Sequence, residues 1–300
     1  MTQTAKNPLI GIVWMLITGF CFVAVTALVK YLGDRIPPAE AAFLRYLLGL
    51  VFLLPVLRQL LSTPVTRRQW WLFGWRGLFH TFGVMLWFYA MTRIPIAEVT
   101  AMNYLAPVYV SIGAALFLGE RLAARRIAAV VVALIGVAVI LRPGFREVAP
   151  GHVAMLFCAV TFAVSYLLAK IMADEARPTM VVAMLSVFVT VGLAPFALAN
   201  WVTPSLPDLG LLFLVACFAT AGHYTMTLAF AAAPVTVTQP VTFLQLVWAV
   251  LLGALVFAEP VDGWVILGGV LILGAVTYIT WREATLKRRA ITPPAPATKL

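Results

Sequence analysis

Ten apolar runs of about 20 residues follow one another along this chain, and no other feature constrains its fold so strongly. The runs cover approximately residues 9–31, 38–57, 70–91, 95–118, 125–141, 150–172, 179–200, 209–231, 235–257 and 263–281. A helix of about 20 mostly apolar residues crosses a hydrocarbon core of roughly 30 Å. Transmembrane strands are about ten residues long and alternate in polarity, whereas residues 127–141 are continuously apolar. The sequence therefore predicts an all-α integral membrane protein with ten transmembrane helices.

The composition leaves little room for a soluble domain. Hydrophobic residues make up 63% of the 300 residues and charged residues only 11%, against roughly a quarter in soluble domains. The net charge of +10 does not indicate nucleic-acid binding, because aromatic and basic residues do not interleave as they do in such sites. The expected partners of this monomer or homodimer are therefore the lipid bilayer and a small-molecule solute. Cys21, Cys158 and Cys217 lie inside apolar runs as small hydrophobic residues, so no disulfide, metal or cofactor is expected.

Positive charges are distributed unevenly between the links that join the runs. Of the 21 Lys and Arg residues, 14 fall on the side of both termini and 5 on the other, with Arg45 and Arg76 inside runs. Basic residues mark the cytoplasmic side of a membrane protein. The sequence thus predicts a multi-pass protein of the inner (plasma) membrane with both termini in the cytoplasm. The basic, proline-bearing segment 282–300 is expected to be a disordered cytoplasmic tail.

The two halves of the chain are similar to each other. A shift of 139 or 140 residues aligns Phe79 with Phe218, Gly83 with Gly222, Pro95 with Pro234, Glu120 with Glu259, Gly11 with Gly151, Phe22 with Phe162 and Lys30 with Lys170. This alignment predicts two five-helix units, residues 1–145 and 146–281. Because five is odd, the second unit enters the membrane from the opposite side. Such inverted repeats are the plan of many secondary transporters.

Several short motifs resemble one family of membrane proteins. Residues 95–107, PIAEVTAMNYLAP, together with residues 118–122, LGERL, resemble the fourth-helix signature of the drug/metabolite transporter superfamily, EamA type. Residues 42–46, AFLRY, and 75–77, WRG, resemble the starts of its second and third helices. The resemblance implies ten helices in inverted repeats, cytoplasmic termini, and a central cavity lined mainly by the first, third, fourth, sixth, eighth and ninth helices. It says little about the solute.

Polar residues interrupt the fourth and ninth runs at matching positions. Thr100 and Asn103 lie three residues apart on one face of a helix, and the 139-residue shift maps them onto Gln239 and Thr242. A polar side chain that faces lipid lacks partners, so such residues face the bundle interior or a water-filled cavity. We expect these four to contact the solute. The alternative is that they form hydrogen bonds between helices, worth about 0.6 kcal/mol each.

The third and eighth runs carry further polar and aromatic residues. The candidates for solute contact are His80 and Trp87 in the third run, His223, Tyr224 and Thr227 in the eighth, and Trp14 in the first. An ionisable side chain deep in a membrane is costly and marks a functional site by default. Aromatic rings can stack on a flat or amphipathic ligand, although an aromatic residue in a membrane helix more often serves packing or interfacial anchoring.

One acid, one arginine and two prolines are candidates for coupling and gating. Glu98, near the outer end of the fourth run, is the acid best situated to reach the cavity and titrate. Arg76 is the second coupling candidate, although it lies close enough to the inner boundary to snorkel there. Pro107 removes an amide from the helical hydrogen bonding and so kinks the fourth run, which makes it a candidate hinge. The matching position in the ninth run is Leu246, and the nearest proline, Pro240, is the second hinge candidate.

These features favour a secondary transporter that works by alternating access. The expected solute is a small polar or amphipathic organic metabolite, an amino acid or related compound, with export favoured by the resemblance. Uptake of a larger, cofactor-like metabolite is the alternative within transport. A polytopic membrane enzyme is disfavoured, because the chain has no His-Glu-x-x-His, Gly-x-Ser-x-Gly or phosphate-cradling glycine motif, and no catalytic residue is assigned. A non-transporting scaffold would not need polar pairs repeated in both halves.

Overall fold

Helices make up the described fold. The computed structural model describes residues 8–117, 124–172, 175–233 and 235–291, which form helices and connecting turns, with no β-strand among them. In chain order the α-helices are α1 (Pro8–Leu32), α2 (Pro38–Gly49), α3 (Leu54–Ser62), α4 (Arg67–Met91), α5 (Ile96–Asn103), α6 (Leu105–Phe117), α7 (Ala124–Leu141), α8 (Pro150–Met172), α9 (Pro178–Ala199), α10 (Leu206–Ala232), α11 (Val235–Thr238), α12 (Phe243–Phe257) and α13 (Gly263–Ile291). Three 3₁₀ segments, Gly33–Arg35, Leu50–Leu53 and Gln239–Thr242, connect or interrupt them.

The outside of the bundle is apolar. Among the described residues, 7 stretches are long and apolar enough to cross a bilayer: Pro8–Arg35, Ile96–Leu116, Ala124–Leu141, Pro150–Ala169, Thr179–Ala199, Leu206–Phe230 and Gly263–Arg282. Large apolar side chains face outward; Leu255 on α12 is 82% exposed and Leu198 on α9 is 66% exposed. A soluble monomer rarely exposes so much apolar surface, whereas a lipid-facing one does. The prediction of an all-α integral membrane protein is therefore confirmed.

Local side chains fix where several helices begin. The Thr66 hydroxyl accepts a hydrogen bond from the Gln69 amide, and the Gln69 side chain accepts one from the Thr66 amide, a capping box that starts α4. The Ser205 hydroxyl accepts from the Asp208 amide at the start of α10. Pro38 begins α2, where its missing N–H is one that the first helical turn leaves without an intrahelical partner anyway.

The fourth and ninth runs are interrupted. A turn at Tyr104 separates α5 from α6, because Pro107 has no N–H to donate to the Asn103 carbonyl oxygen. In the second half the 3₁₀ segment Gln239–Thr242, which contains Pro240, separates α11 from α12. The two interruptions coincide under the 139-residue shift. Both candidate hinge prolines therefore lie in or beside a helix interruption, although the side chain of Pro240 is outside the described part of the chain.

The last helix extends beyond the last apolar run. α13 continues to Ile291, so residues 282–291 of the predicted tail are helical, and residues 292–300 lie outside the described ranges. Most of this extension consists of Arg, Glu, Ala, Leu and Lys, which are good helix formers. Local helix propensity thus explains why α13 continues beyond the end of the apolar run.

One end of the bundle is more tightly packed than the other. It consists of segments 30–40, 91–98, 140–152, 200–208 and 257–263, and we call it the sealed end. Fully buried large side chains on this half of the bundle include Leu32, Ile36, Phe88, Met91, Ile96, Ile140 and Met155. Among the described residues near the opposite end, the fully buried large side chains are Phe73 and Met172. Within the described part of the chain, apolar packing therefore closes the sealed end more completely.

Glycines allow α7 and α13 to pack backbone against backbone. A Cβ at Gly136 would lie 2.7 Å from the Gly268 carbonyl oxygen and 2.8 Å from the Ile272 side chain. A Cβ at Gly268 would in turn meet the Gly136 carbonyl oxygen. By contrast, a Cβ at Gly274 on the same helix would have nothing within 4 Å. Small residues at a helix contact are a common way for membrane helices to associate.

A polar cluster between α2, α4, α8 and α10

His80 lies in the middle of α4 and is held at both ring nitrogens. Nδ1 is 3.2 Å from Ser165 Oγ on α8, and Nε2 is 3.2 Å from the Tyr46 hydroxyl oxygen on α2. The Phe162 ring packs on the imidazole with 4.9 Å between ring centroids. His80 is 7% exposed. Three helices thus meet at one imidazole, whose hydrogen bonds replace those that a bilayer interior cannot supply.

Two buried arginines lie beside His80. Arg76, one turn earlier on α4, is 7% exposed, and its Nη1 donates to the Val181 carbonyl oxygen of α9 at 2.7 Å. Its Nε has no hydrogen-bond partner within the described residues. Arg45 on α2 is 9% exposed, and its guanidinium carbon lies 4.0 Å from the centroid of the Tyr46 ring. Both guanidinium groups are therefore held inside the bundle rather than extended to its surface.

His223 on α10 completes the cluster from another side. Its ring stands edge-on to Phe22 of α1, with 5.2 Å between centroids. It interacts electrostatically with Arg45, Arg76 and His80, so the four ionisable groups lie close together. Unlike His80, it has an exposed side chain. The cluster therefore reaches the surface of the bundle at His223.

Tyr166 extends the cluster along α8. Its ring stacks on Phe162 with 6.0 Å between centroids, and 42% of the residue is exposed. It interacts electrostatically with Arg76 and Tyr46. The sequence gives no signal for Tyr46, Ser165 or Tyr166, because a hydroxyl on an apolar helix is not informative until its partner helix is known. These residues give the cluster an aromatic border.

The other predicted contacts on α1, α4 and α10 lie around or outside this cluster. Tyr224 is 65% exposed, and the exposed Thr227 donates to the His223 carbonyl oxygen at 2.9 Å. Trp87 is half-buried and packs against the apolar core. Trp14 is half-buried on α1. Their contact with a solute stays a prediction.

The polar residues of the fourth and ninth runs lie at the helix interruptions. Thr100 is 4% exposed, and Asn103 is half-buried at the end of α5. The Tyr104 hydroxyl donates to the Thr242 carbonyl oxygen at 3.0 Å, which joins the two interruptions. The side chain of Gln239 is outside the described part of the chain. Thr100, Asn103 and Thr242 therefore lie at or near the helix interruptions rather than among the residues of the polar cluster.

Glu98 lies in a buried ion-pair cluster at the sealed end. Its carboxylate accepts hydrogen bonds from Arg146 at 2.9 and 3.0 Å, and His152 Nε2 contacts the same carboxylate. Glu98 and His152 are 3% and 4% exposed. The hydrogen bonds that Arg146 donates to the Glu98 carboxylate raise the pKa of the Arg146 guanidinium. The partners lie 48 and 54 residues from Glu98, so the sequence alone does not indicate that His152 contacts it.

A second ion pair joins the halves at the sealed end. Lys30, at the end of α1, pairs with Glu259, and its Nζ also donates to the Ile94 carbonyl oxygen at 2.9 Å. Glu259 Oε2 accepts from the Ile96 amide at 2.9 Å and so satisfies an N–H at the start of α5. Further ion pairs at this end are Arg142 with Asp262, Arg35 with Asp208 and Arg93 with Asp34, whereas Arg68 with Glu175 lies at the opposite end. Charges as well as apolar packing close the sealed end.

Known proteins with similar sequences are transporters. The sequence model of the EamA-like transporter family matches the chain twice, at residues 9–142 and 149–281. A riboflavin transporter of Rhizobium johnstonii is 29% identical over 294 residues, which cover 96% of this chain and 97% of that protein. An S-adenosylmethionine uptake transporter of Rickettsia prowazekii is 28% identical over 284 residues, covering 94% and 96%. A pseudopaline exporter of Pseudomonas aeruginosa is 27% identical over 268 residues, covering 88% and 94%.

The two family matches lie in the two halves that the internal alignment defines, and together they span nearly the whole chain. They include the motifs around Arg45, Arg76 and residues 95–107 that carry the resemblance. This multi-pass helical membrane protein therefore belongs to the EamA-like transporter family.

Proposed function

We propose that this protein is a secondary transporter that binds a small organic metabolite at the cluster of Arg45, Arg76, His80 and His223 and moves it by alternating access. The observation that carries the proposal is the cluster itself, in which ionisable groups lie within an apolar helix bundle. Burying such groups in a membrane costs free energy, so their presence there indicates a functional site. The family and the names of the relatives favour transport over catalysis.

The relatives and the cluster together support a cofactor-sized solute. Riboflavin and S-adenosylmethionine, which two relatives are named for, each contain a flat heterocycle. The rings of Phe22, Phe162 and Tyr166 border the cluster and offer stacking surfaces for a heterocycle. Uptake of a cofactor-like metabolite is therefore our first candidate. Export of an amino acid or related compound is the second, since one relative is named an exporter.

We propose that the fold is two inverted five-helix units, residues 1–145 and 146–281, with ten transmembrane passes. The two family matches divide at the same link. In this count α2 and α3, α5 and α6, and α11 and α12 each form one interrupted pass. The first, third, fifth, seventh and ninth passes end at the sealed end, and the other five begin there. This alternation supports five passes in each unit.

Contacts exchanged between the halves support the inverted relationship. Gly83 of α4 packs on Phe162 of α8, and the aligned Gly222 of α10 packs on the aligned Phe22 of α1. Gly151 likewise packs on Ile94, and the aligned Gly11 packs on Ala233, the residue that aligns with Ile94. Each contact between the halves therefore recurs with the roles of the two halves exchanged, as a two-fold axis requires. An odd number of passes in each unit puts such an axis in the membrane plane.

The sealed end gives the proposed transport cycle a starting state. If both termini are cytoplasmic, as the positive charges favour, the sealed end faces outward. The described ion pairs concentrate there, while His223 and Tyr224 are exposed further along α10. We therefore interpret this conformation as closed to the outside and open towards the cytoplasm.

Flux into liposomes tests the proposed function. The purified protein is reconstituted, and uptake of radiolabelled riboflavin, S-adenosylmethionine, amino acids and a labelled metabolite extract is measured. We expect saturable, protein-dependent flux of at least one solute. Absence of flux for every solute and for the extract would contradict the proposal.

Four alanine variants test the site. Alanine at His80, His223, Asn103 or Gln239 is expected to change flux without removing the protein from the membrane. Phe213→Ala, an exposed position on α10, is the matched control. If all four variants transport as the wild type does, the assignment of the cavity is wrong.

A further inference from the structure

The charge of the polar cluster is unbalanced. Arg45 and Arg76 are each more than nine-tenths buried, and removing a guanidinium from water is unfavourable unless a partner compensates its charge. Arg76 bonds one backbone carbonyl through Nη1, while its Nε has no partner. Arg45 stacks on the Tyr46 ring and has no hydrogen bond to a carboxylate or carbonyl within the described residues. Two guanidinium groups therefore lie near His80, Arg45 against the ring of Tyr46, whose hydroxyl bonds His80, and Arg76 one turn along α4, with little to neutralise them.

The described carboxylates do not supply the missing negative charge. Those with ion pairs lie at the ends of the bundle: Glu98, Glu259, Asp34, Asp208 and Asp262 at the sealed end and Glu175 at the opposite end. Glu40 accepts from the Val202 amide at the sealed end. The other ionisable neighbours of Arg76 in the cluster are His80, His223, Tyr46 and Tyr166, and none of them is a carboxylate. The cluster is thus a cationic site within an apolar bundle.

Flat aromatic surface adjoins these cations. Phe162 and Tyr166 stack on each other beside Arg76, and Tyr166 is 42% exposed. Phe22 stands edge-on to His223 on the facing side. A guanidinium binds carboxylate or phosphate oxygens through paired N–H groups, and a neighbouring ring stacks on a planar ligand.

We propose that the cluster selects an organic anion, with a carboxylate or phosphate group held by Arg45 and Arg76 and a planar ring against Phe162 and Tyr166. This inference rests on the proposed function and adds the charge of the solute to it: the site prefers an anionic heterocyclic compound over neutral riboflavin and over S-adenosylmethionine, whose sulfonium is cationic. A cationic solute is repelled by the two guanidinium groups. A neutral solute leaves both charges uncompensated in a buried site, whereas an anion compensates them.

Matched solute pairs test the selectivity for an anion. Equilibrium binding to the purified protein is measured at pH 7 for nicotinate and nicotinamide, for indole-3-acetate and indole-3-acetamide, and for flavin mononucleotide and riboflavin. Each pair shares a ring and differs in the anionic group, so the first two pairs report a carboxylate and the third a phosphate. We expect the anion of at least one pair to bind at least tenfold more tightly than its neutral partner.

Variants connect this selectivity to the two arginines. Arg45→Gln and Arg76→Gln are expected to reduce the preference for the anion to less than about threefold, because a neutral amide replaces a cationic guanidinium with paired N–H groups. Arg76→Lys retains the charge and is expected to keep part of the preference, which separates loss of charge from misfolding. Arg67→Gln, at an exposed position on α4, is the matched control and is expected to leave the preference unchanged.

The outcomes distinguish this inference from the proposed function. Equal or tighter binding of the neutral partners, binding of no compound in any pair, or an unchanged preference in both glutamine variants would overturn the anion site. Flux of a metabolite in liposomes without any preference for anions would overturn the anion site and leave transport supported. An anion preference that depends on both arginines, in a protein without flux, would support the site and contradict transport.

Discussion

At the scale of single residues, the histidines illustrate how burial separates two roles. His80 is bonded through both ring nitrogens to residues of α2 and α8, whereas His223 has an exposed side chain beside Phe22. Loss of a buried, hydrogen-bonded group leaves its partners unsatisfied, at a cost of about 1–3 kcal/mol. His80 therefore contributes to stability as well as to the site, while His223 is available to a solute at little structural cost.

Glu98 allows a specific prediction about the coupling of transport to protons. Protonation of its carboxylate, or Glu98→Gln, removes the negative charge that pairs with Arg146 and His152. Because breaking a buried ion pair costs about 3 kcal/mol, we expect Glu98→Gln to lower the melting temperature and loosen the sealed end. If Glu98 couples transport to protons, acidification on the sealed side raises wild-type flux and leaves the variant unchanged.

Flux measured across imposed pH gradients tests this coupling. Glu175→Gln is the matched control, since Glu175 pairs with Arg68 at the opposite end. Transport that ignores both the pH gradient and Glu98→Gln would exclude coupling through this acid.

At the scale of helices, the interruption between α5 and α6 is a candidate hinge. Pro107→Ala restores an N–H that can donate to the Asn103 carbonyl oxygen and so favours a continuous helix. We expect solute exchange to slow several-fold while the equilibrium binding constant changes little, because the hinge lies outside the polar cluster. Pro195→Ala, a proline inside α9, is the control. Unchanged exchange rates in Pro107→Ala would count against a hinge at this position.

The contact between α7 and α13 gives a prediction about stability. Gly268→Ala adds a Cβ against the Gly136 backbone, which cannot move aside as a flexible side chain can. We expect a loss of about 1–3 kcal/mol, seen as a lower melting temperature in detergent. Gly274→Ala on the same helix meets open space and is expected to keep or raise the wild-type melting temperature. Equal melting temperatures for the two variants would contradict this close packing.

At the scale of the whole molecule, the pair of Lys30 and Glu259 has a counterpart in the repeat. The aligned residues are Lys170 and Glu120, of which Glu120 and the Lys170 side chain lie outside the described part of the chain. Inverted units that alternate in access are expected to use equivalent contacts at their two ends. The observed pair closes the sealed end, so the aligned pair is predicted to close the opposite end in the other state.

Substitution of the two glutamates tests this alternation. Glu259→Gln is expected to raise labelling of Tyr224→Cys by a membrane-impermeant maleimide from the sealed side several-fold, and Glu120→Gln is expected to raise labelling from the other side. Asp34→Asn is the control, because Asp34 is largely exposed and its contact with Arg93 is 3.7 Å long. If both glutamine variants shift labelling in the same direction, the two pairs are not alternating gates.

Much of the architecture is encoded locally. The length and continuous apolarity of the runs required helices in a membrane, because a bilayer accepts only segments whose backbone hydrogen bonds are internal. The repeated positions, such as Gly83 with Gly222, predicted two related halves, and the motifs around Arg45 and residues 95–107 identified the family. Helix propensity also favours the extension of the last helix to Ile291, whereas the apolar run ends at residue 281.

By itself, therefore, the sequence determined an all-helical membrane protein of this transporter family and named Arg76, His80 and His223 as candidates. Only the tertiary structure decided that these three meet Arg45 in one cluster and that Glu98 is engaged by Arg146 and His152. The physical reason is distance along the chain. A transmembrane helix depends on its own residues and the bilayer, whereas a buried charge acquires its role from partners on other helices.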